Sequence, residues 1–354
     1  MELELIKNMK KNILILSRNY NDYVSGPYYQ ELIDAFLAKH NVFLYGPGYD
    51  NYCQEDNLED VLAKSTDILS SVDLIVVSNS WGDENPANPI FDVHPNICLS
   101  DISIPCAFFL NKEYKKLNKK LEYIKRNNFN ITFTVLKEYE EWSKATGCVF
   151  KTMPFGVNLD IFKPLKVRKK YDFAFMGALH RSWGVESRYE IKKILFKPKY
   201  LNKLSNKIIW MFIHPLKKNY QKYNICWVEW GAKSFFKKPL TLEGSEYVVL
   251  LNQTRVFLNS LSAEGIFNCR FFELMATKTL IFCPRSVESY GILYDGVNAI
   301  MFNDDFSDLE EKLQLLLDGN IDVEKIIEQA FHDVQEYTYA NNVKNVLAYL
   351  NIDS

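Results

Sequence analysis

No apolar run in this 354-residue chain approaches the ~18 residues needed to cross a bilayer, which argues against a transmembrane helix. The seven cysteines form no CxxC pair and no Cys/His cluster, so neither a zinc site nor a thioredoxin-like redox pair is indicated. Free thiols in a reducing compartment are the expected state. A secretory leader is not expected either. In MELELIKNMKKNILIL acidic residues precede the basic ones, and the short apolar run ends at Ser17-Arg18, as a first strand would. A cytoplasmic protein is expected. No internal repeat and no nucleic-acid-binding motif is visible, which sets nucleic acid aside as a partner.

What is present is ordinary for a globular protein: 47% hydrophobic and 24% charged residues, in a chain long enough for two cores. The net charge of −2 is unevenly spread, with about sixteen Lys or Arg between Lys163 and Lys222 against Asp172, Glu186 and Glu190. That stretch, with Lys115, Lys116, Lys119, Lys120, Lys125 and Arg126, reads either as a solvated face or as a peripheral contact for an anionic membrane surface or charged glycan. Short apolar runs alternate with helical periodicity. Strands are expected at Ile13–Leu16, Val42–Tyr45, Leu74–Val77, Cys106–Leu110 and Ile131–Val135. Helices are expected between them, which predicts a parallel doubly wound sheet. Pro154-Phe155-Gly156 and the basic run to Lys170 read as an interdomain linker. Strand-like runs then resume at Phe173–Gly177, Ile208–Ile213, Ile225–Val228, Val256–Leu258, Leu280–Phe282 and Ala299–Phe302.

The most informative stretch is NSLSAEGIFNCRFFELMATKTLIF, from Asn259 to Phe282. It reads as a strand end, a loop with Glu264 and Gly265, a helix opening at Arg270, and another buried strand. A loop feeding a helix N-terminus presents unpaired amides to an anion, and Arg270 adds a bidentate charge there. One turn on, Glu273 is placed to accept hydrogen bonds from vicinal hydroxyls. Asp304-Asp305 resembles a metal-binding pair, but its position before Phe306 suggests helix capping.

Several fragments carry a resemblance: GPYYQELIDAF, VFLYGPGY, MPFGVNLDIFKP, YDFAFMGALHR, RFFELMATKTLIF and GVNAIMF, in this order along nearly the whole chain. They resemble GT-B glycosyltransferases, and among these the bacterial branch related to spore-maturation enzymes. The resemblance implies an α/β protein with two Rossmann-like domains facing each other across a cleft. Residues 1–162 would form the acceptor domain and 163–335 the nucleotide-sugar domain, with a C-terminal helix at 336–354 packing back on the first.

It also implies metal-independent transfer of a sugar from a nucleotide-diphosphate sugar, UDP- or GDP-linked, to a glycan or a lipid-linked or surface-polymer acceptor, without a cofactor. The diphosphate would lie on the Gly265–Arg270 loop, with Glu264, Asn268 and Cys269, and on His180-Arg181. Glu273 would take the ribose, and Trp230-Gly231 the base. Gly26 would allow close approach of a ligand to the backbone. Arg270 and Arg181 would stabilise the leaving group, and His94, Asp83 or Asp92 would serve as base if configuration inverts. Arg270 as a structural tether and Trp230 as a core residue are the competing readings. At the level of function the competitors are a nucleotide-sugar epimerase and a non-catalytic binding protein. The sequence departs from the family at Lys278 (usually Gly), Tyr337 (often His) and Asn298 (often acidic).

Overall fold

The computed structural model describes residues 10–19, 27–78, 96–178, 186–195, 224–230 and 244–352. The chain divides into two units: unit 1 comprises Met1–Gly156 and Thr338–Ser354, and unit 2 comprises Val157–Tyr337. The expected strand at Ile208–Ile213 falls outside the described residues.

In unit 1, β1 (Asn12–Ser17) is flanked by β2 (Asn41–Tyr45) and β3 (Leu74–Ser78). β4 (Cys106–Phe109), β5 (Ile131–Thr134) and β6 (Phe150–Thr152) follow outward, giving the all-parallel order β2-β1-β3-β4-β5-β6. Ile13 to Leu16 are apolar without alternation because both faces of β1 are covered. Leu14 and Leu16 pack with Tyr45, Val61 and Phe108, whereas Ile13 and Ile15 pack with Phe36, Val343 and Val346.

The helices supplying those faces are α1 (Pro27–Lys39), α2 (Leu58–Ser65), α3 (Leu117–Asn127) and α4 (Glu140–Thr146). The sequence-distant helix Tyr339–Tyr349 completes the second face. At α2, Asn57 forms a reciprocal capping box with Asp60. One basic residue expected at the surface is not there. Lys120 is fully buried, and its ammonium donates to the carbonyls of Asn111 (2.7 Å) and Lys112 (3.2 Å).

Unit 2 repeats the arrangement. β7 (Tyr171–Ala178) lies between β8 (Ile225–Trp230) and β9 (Thr254–Leu258), with β10 (Leu280–Pro284) and β11 (Ile300–Phe302) beyond. The order β11-β10-β9-β7-β8 is again all parallel. α5 (Glu186–Leu195), α6 (Gly244–Gln253), α7 (Arg270–Ala276), α8 (Leu309–Asp318) and α9 (Glu324–Asp333) belong to this unit, and Tyr339–Tyr349 becomes α10.

Residues 163–170, linker-like in composition, are strapped onto unit 2. Asn252 bonds the backbone of Lys163 and Leu165, and the Lys169 ammonium donates to the Thr254 carbonyl. Asp304-Asp305 does not cap a helix at Phe306. Asp304 accepts from the Ser286 amide and Asp305 from that of Ser307, and α8 begins only after Asp308. All seven cysteines are free, and Cys106, Cys148, Cys226 and Cys283 are buried.

Candidate functional site

In open parallel sheets ligands bind beyond the strand C-termini, where the strand order reverses. In unit 2 that point lies between β7 and β9, which pair directly with each other. The segment following β9 is held there by its own polar side chains. Asn259 donates to the Asn268 side chain (3.1 Å), and Asn268 donates to the Ser260 carbonyl (2.8 Å). The top of the loop is a tight turn in which Glu264 (φ 54°) and Gly265 (φ 75°) are both left-handed. Ser262 and Ile266 bond across its base, and the Tyr290 hydroxyl donates to the Gly265 carbonyl (2.7 Å). A Cβ on Gly265 would meet nothing within 4 Å, so the glycine serves the backbone angle and not a close approach.

Two guanidinium groups meet this loop. Arg188, on α5, is buried, and its Nε donates to Ser260 Oγ (2.8 Å) while Nη2 reaches the Leu261 carbonyl (3.0 Å). Arg270, opening α7, donates through Nε to the Tyr247 hydroxyl (3.0 Å) and through Nη1 to the Met176 carbonyl on β7. Tyr247 in turn donates to Glu273 Oε2 at 2.6 Å. Arg270, Tyr247 and Glu273 therefore form one half-buried chain of hydrogen bonds.

Its electrostatics follow from burial. The Arg188 pKa is pushed down to about 10, first by desolvation and then by the charge of Arg270. Burial works in the same sense on Arg270, but Tyr247 and Glu273 outweigh it and raise that group. Glu273 is raised by burial, with Arg270, Tyr247 and Cys269 opposing. Two cations close enough to disfavour one another, with one carboxylate reached through Tyr247, leave the site electropositive. An oxyanion arriving there would relieve the repulsion.

The structure brings together Asn268, Cys269, Arg270 and Glu273 from the residues singled out in the sequence. Glu264 is exposed at the turn and makes no hydrogen bond or ion pair with the described residues. Gly26, His94, Asp83, Asp92, His180, Arg181 and Gly231 lie outside the described residues, as does the side chain of Trp230, whose backbone ends β8. The helix N-terminus contributes less than its sequence suggests. The turn ahead of α7 already engages the amides of Phe271, Phe272 and Glu273, through the carbonyls of Asn268 and Cys269. The two guanidinium groups, and not the helix amides, carry the positive charge at this loop. Arg188 and Tyr247 carry no local signal, because their partners are distant in sequence. Among the described residues no cluster of His, Cys, Asp or Glu is placed to hold a metal.

The departures at Lys278 and Tyr337 also have a place. Lys278 follows α7 with φ 52°, a left-handed position that glycine fills without strain. The Lys278 amide bonds the Met275 carbonyl and the Thr279 amide that of Leu274, which closes the helix. Tyr337 packs its ring on Phe272 at 5.0 Å.

Two parallel sheets of the same strand order define an α/β protein of GT-B fold, with two Rossmann-like domains. Residues 206–348 match the family described as glycosyl transferase-like. No curated protein sequence matches it. Solved structures with the same fold include sucrose-phosphate synthase from Thermosynechococcus elongatus, at 12% identity over 98% of this chain and 100% of that one, TM-score 0.57. A glycosyltransferase from Rickettsia africae is 13% identical over 97% and 98%, TM-score 0.58. HepE of Anabaena, in complex with UDP and glucose, is 11% identical over 96% and 99%, TM-score 0.55. No helix among the described residues is long and apolar enough to cross a membrane.

Proposed function

We propose that the chain transfers a sugar from a nucleoside-diphosphate sugar, UDP- or GDP-linked, to a hydroxyl of a glycan or of a lipid-linked or surface-polymer acceptor. The observation that carries this reading is the pairing of Arg188 and Arg270 at the β7/β9 reversal, one helical turn from Glu273. As the bond to the sugar breaks, negative charge gathers on the diphosphate. Fixed donors in a site shielded from water stabilise that charge without reorganising. Tyr247 occupies Oε2 of Glu273, and the other carboxylate oxygen is the acceptor for the ribose hydroxyls. His180 and Arg181 are proposed to join the diphosphate contacts, Gly231 the base, and Gly26 a close backbone approach. His94, Asp83 and Asp92 are the proposed candidates for deprotonating the acceptor. No metal and no separate cofactor enters this scheme. HepE, which shares the fold, has been crystallised with UDP and glucose, in keeping with such a donor.

Unit 1 offers a place for the acceptor. A cavity at the C-terminal edge of its sheet is lined by Ser78, Asn111 and Thr134, with the rings of Tyr29, Phe109 and Tyr339. The Asn111 Nδ2 group is buried there with no hydrogen-bond partner, ready to donate to a sugar oxygen. Rings beside a buried amide donor suit the mixed character of a sugar face.

Thermal melting with UDP, GDP, CMP and TDP tests the donor assignment. One nucleoside diphosphate is expected to raise the midpoint of the wild-type protein. Arg188→Met is expected to weaken that nucleotide at least about tenfold, the scale of a lost charge-assisted contact. If no nucleotide shifts the wild-type protein, or if R188M responds identically, the reading fails. Release of free nucleotide only when acceptor is supplied would separate transfer from epimerisation.

A further inference from the structure

Arg18 directly follows β1, at the unit 1 counterpart of the strand-order reversal, where β1 pairs with β2 on one side and β3 on the other. The residue is 6% exposed. Both Nε and Nη2 are buried and neither has a hydrogen-bond partner. Among the described residues no carboxylate forms an ion pair with it. Burying a charge without a partner is costly, and native structures keep such a group where a ligand completes it. The two unpartnered nitrogens are also the pair on one edge of the guanidinium. Their parallel N–H bonds match the two oxygens of a carboxylate or phosphate.

The surroundings hold the chain around this edge in place without neutralising it. Ser17 Oγ donates to the Arg18 carbonyl (3.2 Å). The Asn19 amide donates to the Pro47 carbonyl (2.9 Å), and its side chain to that of Gly48 (3.1 Å). Gly48 has φ 91°, and a Cβ there would lie 2.8 Å from Asn19 Cβ, so the turn after β2 is shaped to receive Asn19. Ser78, in register with Ser17, ends β3 alongside. The strand-end turns fix the backbone on either side of Arg18, while its side-chain fork is left for something else.

We propose that Arg18 is an oxyanion clamp, holding two oxygens of a phosphate or carboxylate group on a ligand bound to unit 1. Read with the transfer reaction proposed above, on which this step rests, the ligand is the acceptor. Its class is then an anionic sugar or glycan, either phosphorylated or bearing a uronate-type carboxylate. The clamp itself does not depend on that reaction.

The test reads Arg18 directly. In full-length protein, the Arg18 Nε resonance in a proton–nitrogen spectrum is assigned by its disappearance in Arg18→Met. Inorganic phosphate, glycerol phosphate and glucuronate are then titrated against a chloride control. A saturable shift with the two phosphates identifies a phosphate clamp, and one with glucuronate a carboxylate clamp. Arg18→Lys, which keeps the charge and loses the fork, is expected to bind the same anion at least about tenfold more weakly. In anion-free buffer R18M is expected to melt no lower than wild type, and to gain nothing when anion is added. Shifts indistinguishable from chloride, or an R18M protein markedly less stable without anion, would overturn the clamp. A saturable Arg18 response alongside no nucleotide binding anywhere would keep the anion site and remove only its assignment to a transferase acceptor.

Discussion

Tyr247 accepts a hydrogen from Arg270 and donates its own to Glu273, so one oxygen serves both charged neighbours. Tyr247→Phe keeps the ring and leaves two half-buried charged groups short of a partner. A loss of about 1–3 kcal/mol is expected in urea denaturation, together with weaker nucleotide binding. An unchanged unfolding midpoint would show that the chain of bonds is not formed. Glu113 in unit 1 gives a pH signature. Burial raises its pKa above the ordinary 4.5, with the hydrogen bond from Thr134 and the charge of Lys120 opposing. Such a group stabilises the fold fully below its unfolded pKa and loses that contribution as pH climbs through the raised folded value. Glu113→Gln should therefore gain stability relative to wild type as pH rises above about 4.5. Denaturation midpoints that keep the same difference from pH 4 to 8 would refute this. Arg270 and Glu273 stood out in the sequence because three-residue spacing puts them on one helix face. Nothing local marks Arg188, whose partner Ser260 lies 72 positions away.

Among the elements, the buried parallel strands were the most legible. Leu280-Ile281-Phe282 and Leu74–Val77 read as unbroken apolar runs because helices cover both sheet faces. β6 was not legible: Phe150-Lys151-Thr152 is a three-residue edge strand with one buried position. α3 misled for a different reason. Its lysines look like one wet face, yet Lys120 turns inward to hold the carbonyls after β4. α10 shows how tightly an element can be docked. Gly156 lies against its start, and a Cβ at that position would be 2.5 Å from the Tyr339 backbone nitrogen. Backbone cannot retreat as a flexible side chain can. Gly156→Ala should cost about 1–3 kcal/mol, the usual range for overpacking. Near-wild-type stability for G156A would mean that the helix seats less closely than described.

At the scale of the whole molecule, both units place β1 or β7 between neighbours in the same pattern, and each puts arginine at the reversal. This likeness was legible only as alternating strands and helices. No residue-level repeat accompanies it, because parallel packing constrains hydrophobicity more than identity. The donor assignment is specific to unit 2. Hydrogen exchange with UDP or GDP should slow amides across 259–273, and leave the ends of β1 and β3 unchanged. Protection appearing first around Arg18 would place the nucleotide on the wrong unit.

Unit 1 is discontinuous, and this bears on how the polypeptide is made. Its sheet is synthesised well before α10, the helix that joins α1 in covering Ile13, Ile15 and Val76. A nascent chain halted after Tyr337 would carry a finished second unit and a first one whose apolar strands are covered on that face by α1 alone. Until translation passes Tyr349, that earlier half is the stretch a chaperone would find to bind.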